Sequence, residues 1–417
     1  MKYFLRITVL AAAAALLALG GCRQKTPAVP TGARAAVYPE KLAGEPKIRV
    51  RVLSTAAAAE LTVTGGYKMK VITLAGQEVD GAGDRAVTIG VGAAASGVKL
   101  GKDVYRKAAI IPENQTLLKL RLRDGGKTAE YVLPGIATFT RDGRGRLQVV
   151  AELPIERYLA GVIAGEMFLS FHPEALKSQA VAARTYALYH IKTHAANSYD
   201  VESDTSSQVW KPHLAGDARA LAAVESTRGQ VMTEGGRLFP TYFCSDCGGV
   251  TADGNTVFPG TGGNALSGGV KCGYAANRTK PGDFVFSVSK EEASKRLSAA
   301  GMNNGRLLRI ELLDAGKNRL SGSVPERAYF VRLFNDNGVE RVISATDFRQ
   351  AMGNTTLRSM LVTLRQDGQN LAFTGRGFGH GVGLCQFGAD YTAREERKDY
   401  RMILEKYYPG AEVVRVW

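Results

Sequence analysis

The stretch LPIERYLAGVIAGEMFLSFHPEALKSQAVAARTYALYHI, residues 153–191, decides how the rest of the chain is read. Its second half carries the clearest helical pattern in the sequence. Pro173 suits a first helical position, where its missing N–H is not needed, and Glu174 favours the positive end of a helix. Leu176, Ala180, Ala183, Ala187 and Ile191 recur at steps of three and four, the spacing of one buried stripe. Lys177 and Arg184 share another face, and Gln179 points roughly opposite Lys177. Upstream, Glu166 is the only carboxylate in the largely apolar run from Leu159 to Phe171. A carboxylate beside apolar side chains tends to a raised pKa, which suits a general acid; a solvated acid near a helix end has no such role. Spacing leaves both readings open.

Working outward, 417 residues are enough to bury a sizeable core and more than one structural unit. The formal net charge of +15 favours polyanionic partners: nucleic acid, anionic lipid or an anionic wall polymer. No nucleic-acid-binding signature accompanies the charge and the basic residues are spread along the chain, so nucleic acid is not expected as a partner. At the N-terminus, Lys2 and Arg6 precede an apolar run from Ile7 to Leu19 that is too short for a permanent span. The run ends LALGGC, which resembles a bacterial lipoprotein signal with Cys22 as the lipidated residue. Residues 1–22 are therefore read as a signal peptide, and residues 23–45, with Pro27, Pro30 and Pro39, as a flexible tether. Outside the cytoplasm, the Cys244–Cys247 pair (CSDC) suits a metal knuckle, a redox pair or disulfides.

From residue 46 to about 140, short alternating runs such as IRVRVL and LTVTGGYKMKVITL between Gly-rich turns predict a β-rich region. A strand leads into the helical centre at 155–195, followed by the polar loop DVESDTSSQVWKP (200–212), a short helix ARALAAVESTRG and a strand QVMTEGG. Residues 273–370 alternate strand-like and helical pieces, and DYTAREERKDYRMILEKYYPG reads as one closing amphipathic helix. The most glycine-dense stretch is GRGFGHGVGLCQFGA, 375–389. It lacks the Lys-Ser/Thr of a phosphate loop, and its glycines permit close backbone approach to a ligand.

Two of these blocks together carry a resemblance. The Glu-Met pair followed by EALK-Q-AVAARTYA, and the later Gly-His-Gly-Val-Gly…Gln-Phe-Gly-Ala, resemble the stage II sporulation protein D (SpoIID)/LytB amidase-enhancer family, strongly at 147–190 and 375–390. Phe168 stands where the family usually has Pro. The resemblance implies an α+β fold, with residues 141–417 forming the family domain and a groove where the 166–190 element meets the Gly-rich loop.

It also implies a function. The family substrate is peptidoglycan, particularly glycan strands stripped of stem peptides, and members are described either as lytic transglycosylases or as amidase enhancers. Glu166 takes the place of the catalytic acid/base. Lys177, Gln179 and Arg184 occupy positions implicated in activity, the two cations to hold anionic groups of the glycan and Gln179 to orient the Glu166 loop. Asp204, Gln208 and Trp210 fall in a stretch near the family's substrate groove, Trp210 as a sugar-stacking ring or a half-buried core residue. His380 and Gln386 complete the expected substrate-binding set.

No cofactor is needed for this chemistry. Some members hold zinc partly through cysteines, so Cys244, Cys247 and Cys272 are candidate zinc ligands, with His380, His213 or Cys385 as the fourth. The competing expectation is a disulfide between Cys272 and one of the pair. Peptidoglycan, a cell-wall amidase and the membrane, through the Cys22 lipid, are the expected partners, and the cell envelope is the expected location.

Overall fold

The computed structural model describes residues 41–114, 116–124, 126–261, 263–275 and 283–417. The signal peptide, Cys22 and all but the end of the tether lie outside the described residues. The fold is α+β.

The N-terminal region is built by two-residue alternation. In the strand Ala59–Val63, Ala59, Leu61 and Val63 are buried while Glu60 and Thr62 are not. Leu61 lies opposite Leu120 on one neighbouring strand and Ile89 on the other. These strands belong to a six-stranded sheet whose apolar face meets that of a seven-stranded sheet. Leu61, Leu118 and Leu120 pack there with Ile110, Phe139 and Val149.

The seven-stranded sheet also reaches the helical centre. Its strand Leu147–Pro154 pairs antiparallel with Lys47–Thr55. Val149 serves the sandwich core, whereas Ala151 and Leu153 serve the central core. At Pro154 the chain turns into helix α1 (Ile155–Glu166), and α2 (Pro173–Thr193) and α3 (Ala218–Ser226) pack with it. Pro173 takes the first turn of α2 as expected, and the ring of His172 caps it by accepting the Glu174 N–H at 3.2 Å.

The single-stripe expectation for α2 is corrected. From Ala175 to Tyr189 almost every side chain is buried, including Ser178, Gln179, Arg184 and Thr185. An alanine-rich helix is thin enough to be surrounded: α1, α3, the strand Gln230–Thr233 and the helices Gln386–Arg394 and Tyr400–Tyr407 all contact it. The closing segment is also not one helix. Arg397 has φ 56°, and Asp399 starts a new helix by accepting the Met402 N–H. Residues 283–376 enclose a third core around Phe348 and Phe373, formed by a four-stranded and a three-stranded sheet with helices Lys290–Ala299 and Ala345–Met352. Among the described residues no helix is long and apolar enough to cross a membrane.

Candidate functional site around Glu166

Glu166 is the last residue of α1, where Met167 turns extended and ends the helix. Its Oε1 accepts the backbone N–H of Val209 at 2.5 Å. That contact depends on Gly165, since a methyl group there would lie 2.4 Å from the Val209 carbonyl oxygen. Burial is the largest influence on Glu166 and pushes its pKa above the ordinary 4.5, while the Val209 N–H, the Gln386 amide and the Lys211 charge pull the other way. Gln386 is 5 % exposed and its amide nitrogen has no well-formed partner of its own, so it lies loosely beside the carboxylate. The phenols of Tyr158 and Tyr186 are close enough for Glu166 to raise their pKa further. Glu166 is thus only partly accessible, and among the described residues Lys211 is the cation whose charge bears on it.

Aromatic rings gather on the loop that follows this carboxylate and at the residue after Gln386. Phe168 is 62 % exposed and lies 5.5 Å from the ring of Phe171 and 5.9 Å from that of Phe387. Phe387 stacks on Tyr274 at 5.2 Å. The loop carrying Phe168 is held by the helix Gln386–Arg394: Asp390 accepts the His172 N–H at 2.6 Å, and Arg394 donates to the Ser170 carbonyl at 2.6 Å. The two sequence blocks therefore do meet, through Gln386 and Phe387 rather than through the glycines.

The glycines serve another partner. Gly377, Gly379 and Gly383 all have positive φ and lie against residues 242–248. A methyl group at Gly383 would lie 1.9 Å from the Tyr242 carbonyl oxygen, so the close approach is to the chain itself. His380, expected in the substrate-binding set, is turned to protein partners instead. Its Nδ1 accepts the Val382 N–H at 3.0 Å, and its ring meets Tyr242 and Phe258 edge-on. Burial, with Arg349 and Arg327 nearby, lowers its pKa to about 3, and it lines a cavity of about 20 Å³ with those two arginines.

The other expected site residues divide sharply. Arg184 is 0 % exposed and makes a bidentate pair with Glu156, Nη2 to Oε2 at 2.7 Å and Nε to Oε1 at 3.1 Å. It also donates to the carbonyls of Val224 and Gln230. The expectation that it holds an anionic ligand is corrected: its donors are spent on joining α1, α2 and α3. Trp210 takes the second of its two expected places, in the core rather than as a sugar-stacking ring. It is 5 % exposed, tilted against Tyr158 at 5.8 Å, with its indole against Gly161. Gln208 is buried, accepting from Tyr158 Oη at 3.0 Å. Gln179 is buried with neither amide atom hydrogen-bonded, so it does not tether the Glu166 loop. Lys177 is part-exposed and paired to Glu174 at 2.7 Å, and Asp204 is exposed, capping the Ser206 N–H.

The cysteines regroup as well. The sulfurs of Cys247, Cys272 and Cys385 all lie within 4.8 Å of one another, whereas Cys244 is not of that group. The four are free thiols, and His213 is exposed on the turn Pro212–Leu214. Sequence reasoning missed Val209, Lys211 and Tyr186 as neighbours of Glu166. Lys211 and Val209 lie far along the chain, and Tyr186 looked like packing.

Fold and site together define an α+β protein with a carboxylate-centred site and an aromatic loop after it. Residues 143–233 match the family described as "Stage II sporulation protein". An uncharacterized protein of Brachyspira hyodysenteriae is 35% identical over 64% of this chain and 68% of its own length. The stage II sporulation protein D of Bacillus subtilis is 26% identical over 64% of this chain and 76% of its own. The amidase enhancer of the same organism is 30% identical over 60% of this chain and 39% of its own. The chain belongs to the SpoIID/LytB family. Membership connects it with cell-wall function.

Proposed function

We propose that this protein is a peptidoglycan lytic transglycosylase with Glu166 as its acid and base, working on glycan strands stripped of peptide. The supporting observation is a partly accessible carboxylate whose pKa is raised by burial and whose charged neighbour, among the described residues, is Lys211 rather than a second carboxylate. A two-carboxylate glycosidase needs a partner acid about 5–9.5 Å away. A transglycosylase does not. Protonated Glu166 gives its proton to the glycosidic oxygen as the bond to C1 breaks. The C6 hydroxyl of the same muramic acid then bonds to C1 and returns its proton to Glu166, leaving a 1,6-anhydro ring and consuming no water. Phe168 and Phe387 offer apolar faces to sugar rings beside that bond.

The second reading is a non-catalytic glycan-binding enhancer of a partner amidase, favoured by the relative named amidase enhancer. In either reading the chain works in the cell envelope, anchored through Cys22. Incubation with amidase-stripped peptidoglycan, read by mass spectrometry for anhydro-muramic ends, separates them. Anhydro ends from the wild type that vanish with Glu166→Gln support the enzyme. Glycan pulled down without cleavage, together with amidase stimulation unchanged by Glu166→Gln, supports the enhancer.

A further inference from the structure

We infer that Cys247, Cys272 and Cys385 form a closed thiolate site for a thiophilic divalent cation of the Zn²⁺ class, with the Tyr407 hydroxyl beside the fourth position. The three sulfurs come from a turn, a loop and a helix start, yet lie within 4.8 Å of one another. Tetrahedral zinc–thiolate bonds of about 2.3 Å set sulfurs a little under 4 Å apart, so the cluster needs little adjustment. Tyr407 Oη lies 3.3 Å from Cys272 Sγ.

Backbone donors for a thiolate are in place at Cys385. Cys385 Sγ accepts the backbone N–H groups of Cys247 and Gly388, each at 3.3 Å, and caps the helix Gln386–Arg394 at its positive end. Three thiolates around a divalent ion leave one negative charge. Arg327 braces the 247 turn from outside, donating to the carbonyls of Cys247 at 2.6 Å and Val250 at 3.1 Å. Gly388 keeps the space open: a methyl group there would lie 2.4 Å from Cys272 Sγ and 2.0 Å from Tyr407 Oη.

All three cysteines and Tyr407 are buried, so the site is structural rather than catalytic. Binding releases three thiol protons and ties the 247 turn and the 272 loop to the first residue before Gln386. The ion therefore fixes the helix start that faces Glu166. This membership differs from the CSDC pair plus Cys272, because Cys244, on the strand beside Cys385, is not of the group.

The test uses the full chain purified in detergent under reducing conditions without chelator. Elemental analysis should find one zinc per chain. Replacement by Co²⁺ should give thiolate-to-metal charge-transfer absorption, a readout that needs no variant. Cys385→Ser and Cys272→Ser should lose the metal on dialysis, and Cys244→Ser should keep it. A wild type that takes up no Zn²⁺ or Co²⁺ overturns the proposal, as does a protein missing two thiols by titration after unfolding. Loss of metal from Cys244→Ser, with circular dichroism unchanged, overturns the assignment of ligands.

Discussion

Glu156 and Glu166 occupy the first and last turns of the same helix, and their surroundings are opposite. Glu156 is 6 % exposed and accepts two guanidinium nitrogens of Arg184 and the Gly229 N–H. Glu166 is also largely withdrawn from water, but it meets a backbone N–H, an amide and the more distant charge of Lys211. A buried carboxylate gripped by a bidentate cation holds elements together; one without a paired cation keeps its proton to higher pH and is available for proton transfer. The difference separates a structural charge from a chemical one on a single helix.

The largest expected effect is on Glu166. Glu166→Gln should lower anhydro-end formation by about 10²–10⁴-fold, the span of general acid–base catalysis, while the protein remains folded by circular dichroism. Full activity in this variant would end the distinction between the two glutamates. Arg184→Ala should behave in the opposite way, costing about 3–5 kcal/mol in denaturant unfolding because Glu156 is left buried and unpaired. Replacing both Glu156 and Arg184 with Met should cost much less than that single change; equal losses would show that the pair is not the unit.

The pH dependence follows from the direction of the Glu166 shift. The acid form persists above the usual carboxylate range, so cleavage should fall as pH rises through that raised pKa. The same shift makes stability fully present below the ordinary value of 4.5 and lost as pH rises through the folded pKa. Glu166→Gln should therefore unfold at a higher temperature than the wild type at pH 7, and the gap should close at pH 4. A gap that is unchanged with pH would deny the raised pKa. Smallest is Lys177→Ala. Its pair with Glu174 is part-exposed, so a stability loss of only about 0.2–0.5 kcal/mol is expected.

The helices and the strand-rich lead-in were legible because each shows in local order. Alternation gives strands and steps of three and four give α2, whereas Glu166, the lone acid in its apolar run, reads as an acid/base only through the family resemblance. The roles of Arg184 and Trp210 were not legible. Lys177 and Arg184 look equivalent along the helix, yet α3 and the Gln230–Thr233 strand cover only the second. The glycines of 375–383 are likewise visible as a need for close approach, but not which partner approaches. The cysteine grouping misled because CSDC spacing is local, while Cys385 is brought to Cys247 by a parallel strand pair.

Local periodicity and two ordered motifs are enough to give the α+β composition, the position of the central helix and the family. Which charge is paired, which aromatic rings face outward and which sulfurs converge are settled by folding. Those properties depend on burial and on contacts between residues far apart in the chain, and the cost of burying a charge or a thiolate is set by what folding brings beside it.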